Sequence, residues 1–133
     1  MQKITNFLLF EGKAEEAMNF YVSLFEDSTV EQITRYGANQ PGKEGSVIHA
    51  TFILNGQEFI CIDSYVAHGF TFTPAMSLYV DCNSEAEVDK LFNALSDSGT
   101  VLMPPGAYPF SKKYAWINDK YGVSWQLSYN PDI

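Results

Sequence analysis

Positive charge is scarce in this chain. Eight Lys and Arg stand against sixteen Asp and Glu, leaving a net charge of −8 over 133 residues. Nucleic acid and anionic membrane both demand a basic face, so neither is expected as a partner. Cysteine is almost absent, with Cys61 and Cys82 the only two, and each sits in a strand-like run. That excludes a disulfide scaffold and suits buried free thiols in a reducing cytoplasm. No apolar run approaches the length of a membrane span, and Met1 to Phe10 lacks the layout of a signal peptide. The expectation is a soluble cytoplasmic protein.

Aromatic residues are plentiful, at 15% of the chain, and the length suffices for one domain with a proper core. Their arrangement is periodic. Ile4–Phe10 reads as a strand, and Lys13–Phe25 switches to helical spacing with Ala17, Phe20, Tyr21 and Leu24 on one face. Thr29–Tyr36 reads as a second strand, and the glycine-rich stretch from Gly37 to Gly45 as a loop. Ser46–Leu54 and Gln57–Asp63 are strands joined at Asn55-Gly56, a strong hairpin signal. A looser segment from His68 to Pro74 follows, and then the order begins again.

Ala75–Asp81 reads as a strand, and Ser84 with Glu87 three residues on forms a capping box. The helix it opens carries Val88, Leu91, Phe92 and Leu95 at the spacing of the first helix, and Gly99 closes it as a C-cap. A short strand at Val101–Met103, a Pro-Pro-Gly loop, a strand at Lys112–Ile117 and a last strand at Val123–Tyr129 complete the chain. The plan is therefore βαβββ twice, an α+β fold of one domain over residues 1–133. Module one spans about 1–66 and module two about 74–133.

The stretches Ile4-Thr5-Asn6-Phe7-Leu8-Leu9-Phe10, Ala14-Glu15-Glu16-Ala17-Met18-Asn19-Phe20-Tyr21, Gly45-Ser46-Val47-Ile48-His49-Ala50-Thr51-Phe52, Leu54-Asn55-Gly56-Gln57-Glu58-Phe59 and Asp119-Lys120-Tyr121-Gly122-Val123-Ser124-Trp125-Gln126 carry a resemblance. Together, in this order, they resemble the PhnB-like branch of the vicinal oxygen chelate superfamily, also labelled 3-demethylubiquinone 3-methyltransferase. The superfamily includes glyoxalase I, extradiol dioxygenases and bleomycin-resistance proteins. The resemblance implies paired βαβββ modules forming a curled, half-open, eight-stranded barrel-like sheet. Helices lie on its convex side and a ligand in the concavity. It also implies a homodimer.

Strand parity gives a concave set of Asn6, Leu8 and Phe10; Phe59, Cys61 and Asp63; Ala75, Ser77 and Tyr79; and Ser124, Gln126 and Ser128. The opposite set (Phe7, Leu9, Ile60, Ile62, Met76, Leu78, Val80, Val123, Trp125 and Leu127) is wholly apolar, as surface under a helix should be. The expected ligand pocket is lined by Phe10, Phe59, Cys61, Asp63, Tyr79, Trp116 and Gln126, with Tyr114 a further candidate wall. Metal-dependent relatives draw one ligand from each of four strands, and the matching positions here are Asn6, Cys61 or Asp63, Ala75 and Gln126. Ala75 cannot ligate and carboxamides are weak ligands, so no metal or other cofactor is expected.

Bland readings stand beside these. His49 reads as a hydrogen-bonded structural histidine, and His68 as an exposed or lid residue. Cys61 lacks a nearby cation to lower its pKa, and Asp63 could cap a turn. Glu15-Glu16 and Lys112-Lys113 read as solvated faces. A methyltransferase using S-adenosylmethionine normally has a doubly wound core and a Gly-rich loop, whereas the first strand here is followed by a lone Gly12. The expected function is small-molecule binding without chemistry. The alternatives are a metal-dependent lyase, isomerase or dioxygenase of the glyoxalase type, and a structural or regulatory dimer with a vestigial pocket.

Overall fold

The computed structural model describes residues 2–131; Met1, Asp132 and Ile133, at the ends of the expected modules, lie outside the described residues. The chain divides into two compact units, the first running through Thr71 and the second from Phe72. Each is a βαβββ module with its own four-stranded, unclosed mixed sheet and one helix.

In the first unit the elements are β1 (Asn6–Phe10), α1 (Ala14–Leu24), β2 (Thr29–Arg35), β3 (Val47–Leu54) and β4 (Gln57–Asp63), in sheet order β1-β4-β3-β2. β1 runs parallel to β4, a pairing that requires the crossover α1 supplies. β3 and β4 are joined at Asn55-Gly56, where both residues have positive φ (46° and 84°), the conformation a two-residue hairpin turn needs. The helix buries Ala14, Ala17, Met18 and Tyr21, facing Val47, Ala50, Phe52 and Phe59.

The second unit repeats this with β5 (Leu78–Asp81), α2 (Glu85–Ser96), β6 (Thr100–Tyr108), β7 (Ser111–Asn118) and β8 (Ser124–Tyr129), in order β5-β8-β7-β6. Ser84 caps α2 as the sequence suggests: its Oγ accepts from the Glu87 N–H at 3.1 Å, while Glu87 reaches back to the Asn83 N–H at 3.0 Å. Under α2 lie Ala115, Ile117, Trp125 and Leu127, all buried.

Three local expectations are corrected. Ala75 sits in a turn, and β5 begins only at Leu78. Gly99 is not the left-handed residue ending α2; that is Ser98, with φ 59°. Glycine is needed at 99 for close approach, since a Cβ there would lie 2.3 Å from the Asn118 carbonyl oxygen. The Pro-Pro-Gly segment is part of β6 rather than a loop. Prolines fit because β6 is an edge strand, and its pairing with β7 shifts register between Met103 and Gly106.

In the second unit the parity assignment holds along β8, where Trp125 and Leu127 are buried, but not at Met76, which precedes β5 and is 73% exposed; in the first unit it is inverted. Leu8, Phe10, Phe59, Cys61 and Asp63 are buried on the α1 side, and Cys61 Sγ lies 4.0 Å from Met18 Sδ of the helix. Phe7 is 53% exposed instead of packed under it.

Candidate functional site

On the face of the second sheet that α2 does not cover, the register aligns one residue from each strand. Tyr79 pairs with Gln126, Gln126 with Trp116, and Trp116 with Met103, so the four form a row across β5, β8, β7 and β6. Side chains in such a row stand next to one another on one face. Gln126 sits in the middle, half-buried between an exposed Tyr79 and a half-buried Trp116.

The Gln126 carboxamide is held from two sides. Its Nε2 donates to Ser77 Oγ at 2.7 Å, and its Oε1 accepts from the Tyr114 hydroxyl. Tyr114 is itself fixed by rings, with Phe110 edge-on at 4.8 Å and Tyr108 at 5.6 Å between centroids. Burial, then the neighbouring Tyr79 and Tyr108, pushes the Tyr114 phenol above its ordinary value, so it remains a neutral donor at physiological pH. Trp116 donates from Nε1 to Ser124 Oγ at 2.9 Å, which sets the orientation of its indole. Opposite Tyr114 in the register is Gly106, which adds no side chain to this face. The arrangement is an aromatic surface around one fixed amide.

Tyr79, Trp116 and Gln126 of the expected pocket are thus brought together, with Tyr114 and Ser77 beside them. Tyr108 and Phe110 escaped sequence reasoning. Their signal was the aromatic pair itself, hidden because the prolines before it suggested a loop.

Phe10, Phe59, Cys61 and Asp63 have a different setting. Phe59 stacks on Phe52 at 5.2 Å in the core. Burial, and secondarily Asp63, pushes the Cys61 thiol up to about 12, and burial with Glu87 does the same for Cys82. Both are protonated, enclosed thiols, unlike the exposed, low-pKa kind that serve as nucleophiles. Asp63 works as a backbone clamp. Its Oδ1 accepts from the Gly12 and Ala14 N–H groups at 2.8 and 2.9 Å, and its Oδ2 from Val47 N–H at 2.9 Å. This satisfies the start of α1, whose own N-cap, Lys13, makes no side-chain cap bond.

A polar cleft of about 680 Å³ lies beside that clamp, with Lys13, Lys43, Glu11, Glu44, Ser64 and Tyr65 among its walls. Nearby, Ser64 Oγ is 2.8 Å from His68 Nε2, and His68 stacks on Phe70. His49 is exposed, its Nδ1 3.2 Å from Gln32 Oε1. Glu15 is more than a solvated charge: it takes a two-pronged contact from Arg35, at 3.0 and 2.6 Å, which holds its carboxyl below the usual range.

The four-ligand metal set of the metal-dependent relatives does not fit these residues. Cys61 and Asp63 face α1, the Asp63 oxygens are taken by backbone N–H groups, and Ala75 has no donor. Among the described residues no cluster of three or more His, Cys, Asp or Glu is placed to hold an ion. No helix among them is long and apolar enough to cross a membrane.

Comparison with known proteins agrees with this architecture. The sequence profile of the 3-demethylubiquinone-9 3-methyltransferase family matches residues 2–128. A PhnB protein from Bacillus cereus, described under the same methyltransferase heading, is 69% identical with a TM-score of 0.95, over 97% of this chain and 100% of that one. A Pseudomonas aeruginosa protein is 25% identical with a TM-score of 0.85, over 98% of each chain. A glyoxalase/bleomycin resistance protein from Albidiferax ferrireducens is 13% identical with a TM-score of 0.58, over 96% of this chain and 98% of that one, a likeness of fold. No curated protein matches the chain. Two βαβββ modules, a profile match over nearly the whole chain and a close relative of the same description lead to one conclusion: the chain belongs to the PhnB-like 3-demethylubiquinone-9 3-methyltransferase family.

Proposed function

We propose that this protein binds a small, partly aromatic molecule on the uncovered face of its second sheet, without transferring a methyl group to it. The carrying observation is the Gln126 carboxamide, pinned by Ser77 and Tyr114 in the middle of an aromatic row. Pockets for small molecules combine apolar and aromatic walls with a few fixed polar groups, and that is the composition here. Gln126 orients the ligand, while Tyr79 and Trp116 flank it. The methyltransferase in the family's name is set aside. Methyl transfer from S-adenosylmethionine normally uses a doubly wound parallel sheet with a Gly-rich turn, a core unlike these two mixed four-stranded sheets. A reducing cytoplasm suits the two free thiols.

A titration with coumarin, a planar aromatic lactone, tests the site. Chemical shifts should move at Tyr79, Tyr114, Trp116 and Gln126 and stay fixed at Phe10, Phe59 and Cys61. Gln126→Ala should weaken binding by about 1 kcal/mol, the usual net worth of a hydrogen bond, and cost about 1–3 kcal/mol of stability because the buried Tyr114 hydroxyl loses its acceptor. Shifts confined to the α1 side of the first sheet would refute the assignment. Stoichiometric zinc, nickel, iron or manganese in protein purified without added metal would favour a glyoxalase-type enzyme instead.

The proposal extends to assembly as a homodimer. Phe7 is 53% exposed and Met76 73% exposed, and apolar surface of this kind is commonly covered by a partner. Light scattering at micromolar concentration should return about twice the 14.9 kDa chain mass. A single-chain mass would reject the dimer.

A further inference from the structure

Resting on that reading of the second sheet, we infer that the site selects molecules carrying a hydrogen-bond acceptor, such as an aromatic ketone or ester, over isosteric hydrocarbons. The argument is an inventory of hydrogen-bonding capacity. A phenol is a better donor than acceptor, so Tyr114 gives its proton to Gln126 Oε1, which turns the Gln126 NH₂ group toward Ser77. A carboxamide has two N–H donors, and Ser77 takes one. Ser77 Oγ, already accepting, keeps its own O–H to donate. Among the described residues, neither this O–H nor the second N–H has a partner. The amide oxygen, by contrast, is engaged by Tyr114. The centre of the row therefore offers an incoming acceptor two unfilled donors, the second Gln126 N–H and the Ser77 O–H, beside one remaining lone pair each on Gln126 Oε1 and Ser77 Oγ.

Two probes of matched size separate the possibilities: acetophenone and its hydrocarbon isostere α-methylstyrene. Binding is followed on the native protein through the Gln126 side-chain amide and Trp116 indole cross-peaks. Acetophenone should bind about fivefold or more tightly than α-methylstyrene, the range expected from one added hydrogen bond. In Gln126→Glu the carboxylate still accepts from Tyr114 and Ser77 but has no N–H to offer. The preference for acetophenone over α-methylstyrene should then disappear. Equal affinity of acetophenone and α-methylstyrene for the native protein overturns the acceptor selectivity and leaves the aromatic site standing. Failure of both to perturb these cross-peaks overturns the site and the selectivity together. The two-probe comparison on the native protein decides the matter even if the Glu variant does not fold.

Discussion

Trp125→Ala should destabilise the fold by about 3–5 kcal/mol in a denaturant titration, as aromatic-to-alanine changes in well-packed cores do. Trp125 is 2% exposed, under α2, beside Ile117 in the register. Its loss removes more than ring volume. The indole Nε1 donates at 2.9 Å to Asp119 Oδ2, while Asp119 Oδ1 accepts from the Tyr121 and Val123 N–H groups at 2.8 and 3.1 Å. Asp119 thus ties the β7–β8 turn to the core. Trp125→Phe should recover most of the packing but not the bond to Asp119, and should fall between alanine and the native protein. A silent Trp125→Ala would mean that the wrong face of β8 has been assigned to the core, and with it the wrong face to the ligand.

Asp63→Ala should rank next, with a loss of about 3–5 kcal/mol. Three backbone N–H groups lose their acceptor at once, and a buried donor left unmade costs about 1–3 kcal/mol, less where water can reach it as at Gly12. Asp63→Asn should rescue only part of this. An amide oxygen can still serve Gly12 and Ala14, but the amide nitrogen then confronts the Val47 N–H, donor against donor. The comparison distinguishes a clamp from a ligand-binding group. A binding carboxylate would lose ligand affinity on mutation and leave the unfolding midpoint in place.

Asp63 also shows where sequence reasoning stopped. The βαβββ repeat was legible because helix period, capping box and Asn-Gly hairpin each have a local cause. On β8 the facing was legible too, since Val123, Trp125 and Leu127 alternate with Ser124, Gln126 and Ser128. That contrast leaves only one set fit for the core. β1 and β4 offer no such contrast. Phe7, Leu9, Ile60 and Ile62 are as apolar as Leu8, Phe10, Phe59 and Cys61, so alternation alone cannot say which set the helix covers. The polar residues sit only at the strand ends, with Asn6, Gln57 and Asp63 in one set and Glu58 in the other, and a carboxylate on a strand end suggests a pocket unless its backbone partners are known. Those partners lie 16 to 51 residues away in sequence, beyond any local pattern. Tyr108 and Phe110 were obscured differently, by prolines that an edge strand tolerates and an interior strand does not.

That edge strand has a consequence for the protein in a crowded solution. Pro104 and Pro105 have no N–H to offer an incoming strand, and the register shifts along β6 interrupt the even ladder of carbonyls and amides that polymerising chains copy. Fibre growth by adding strand upon strand has no template along this border. Copies of the chain that meet here must associate through side chains instead.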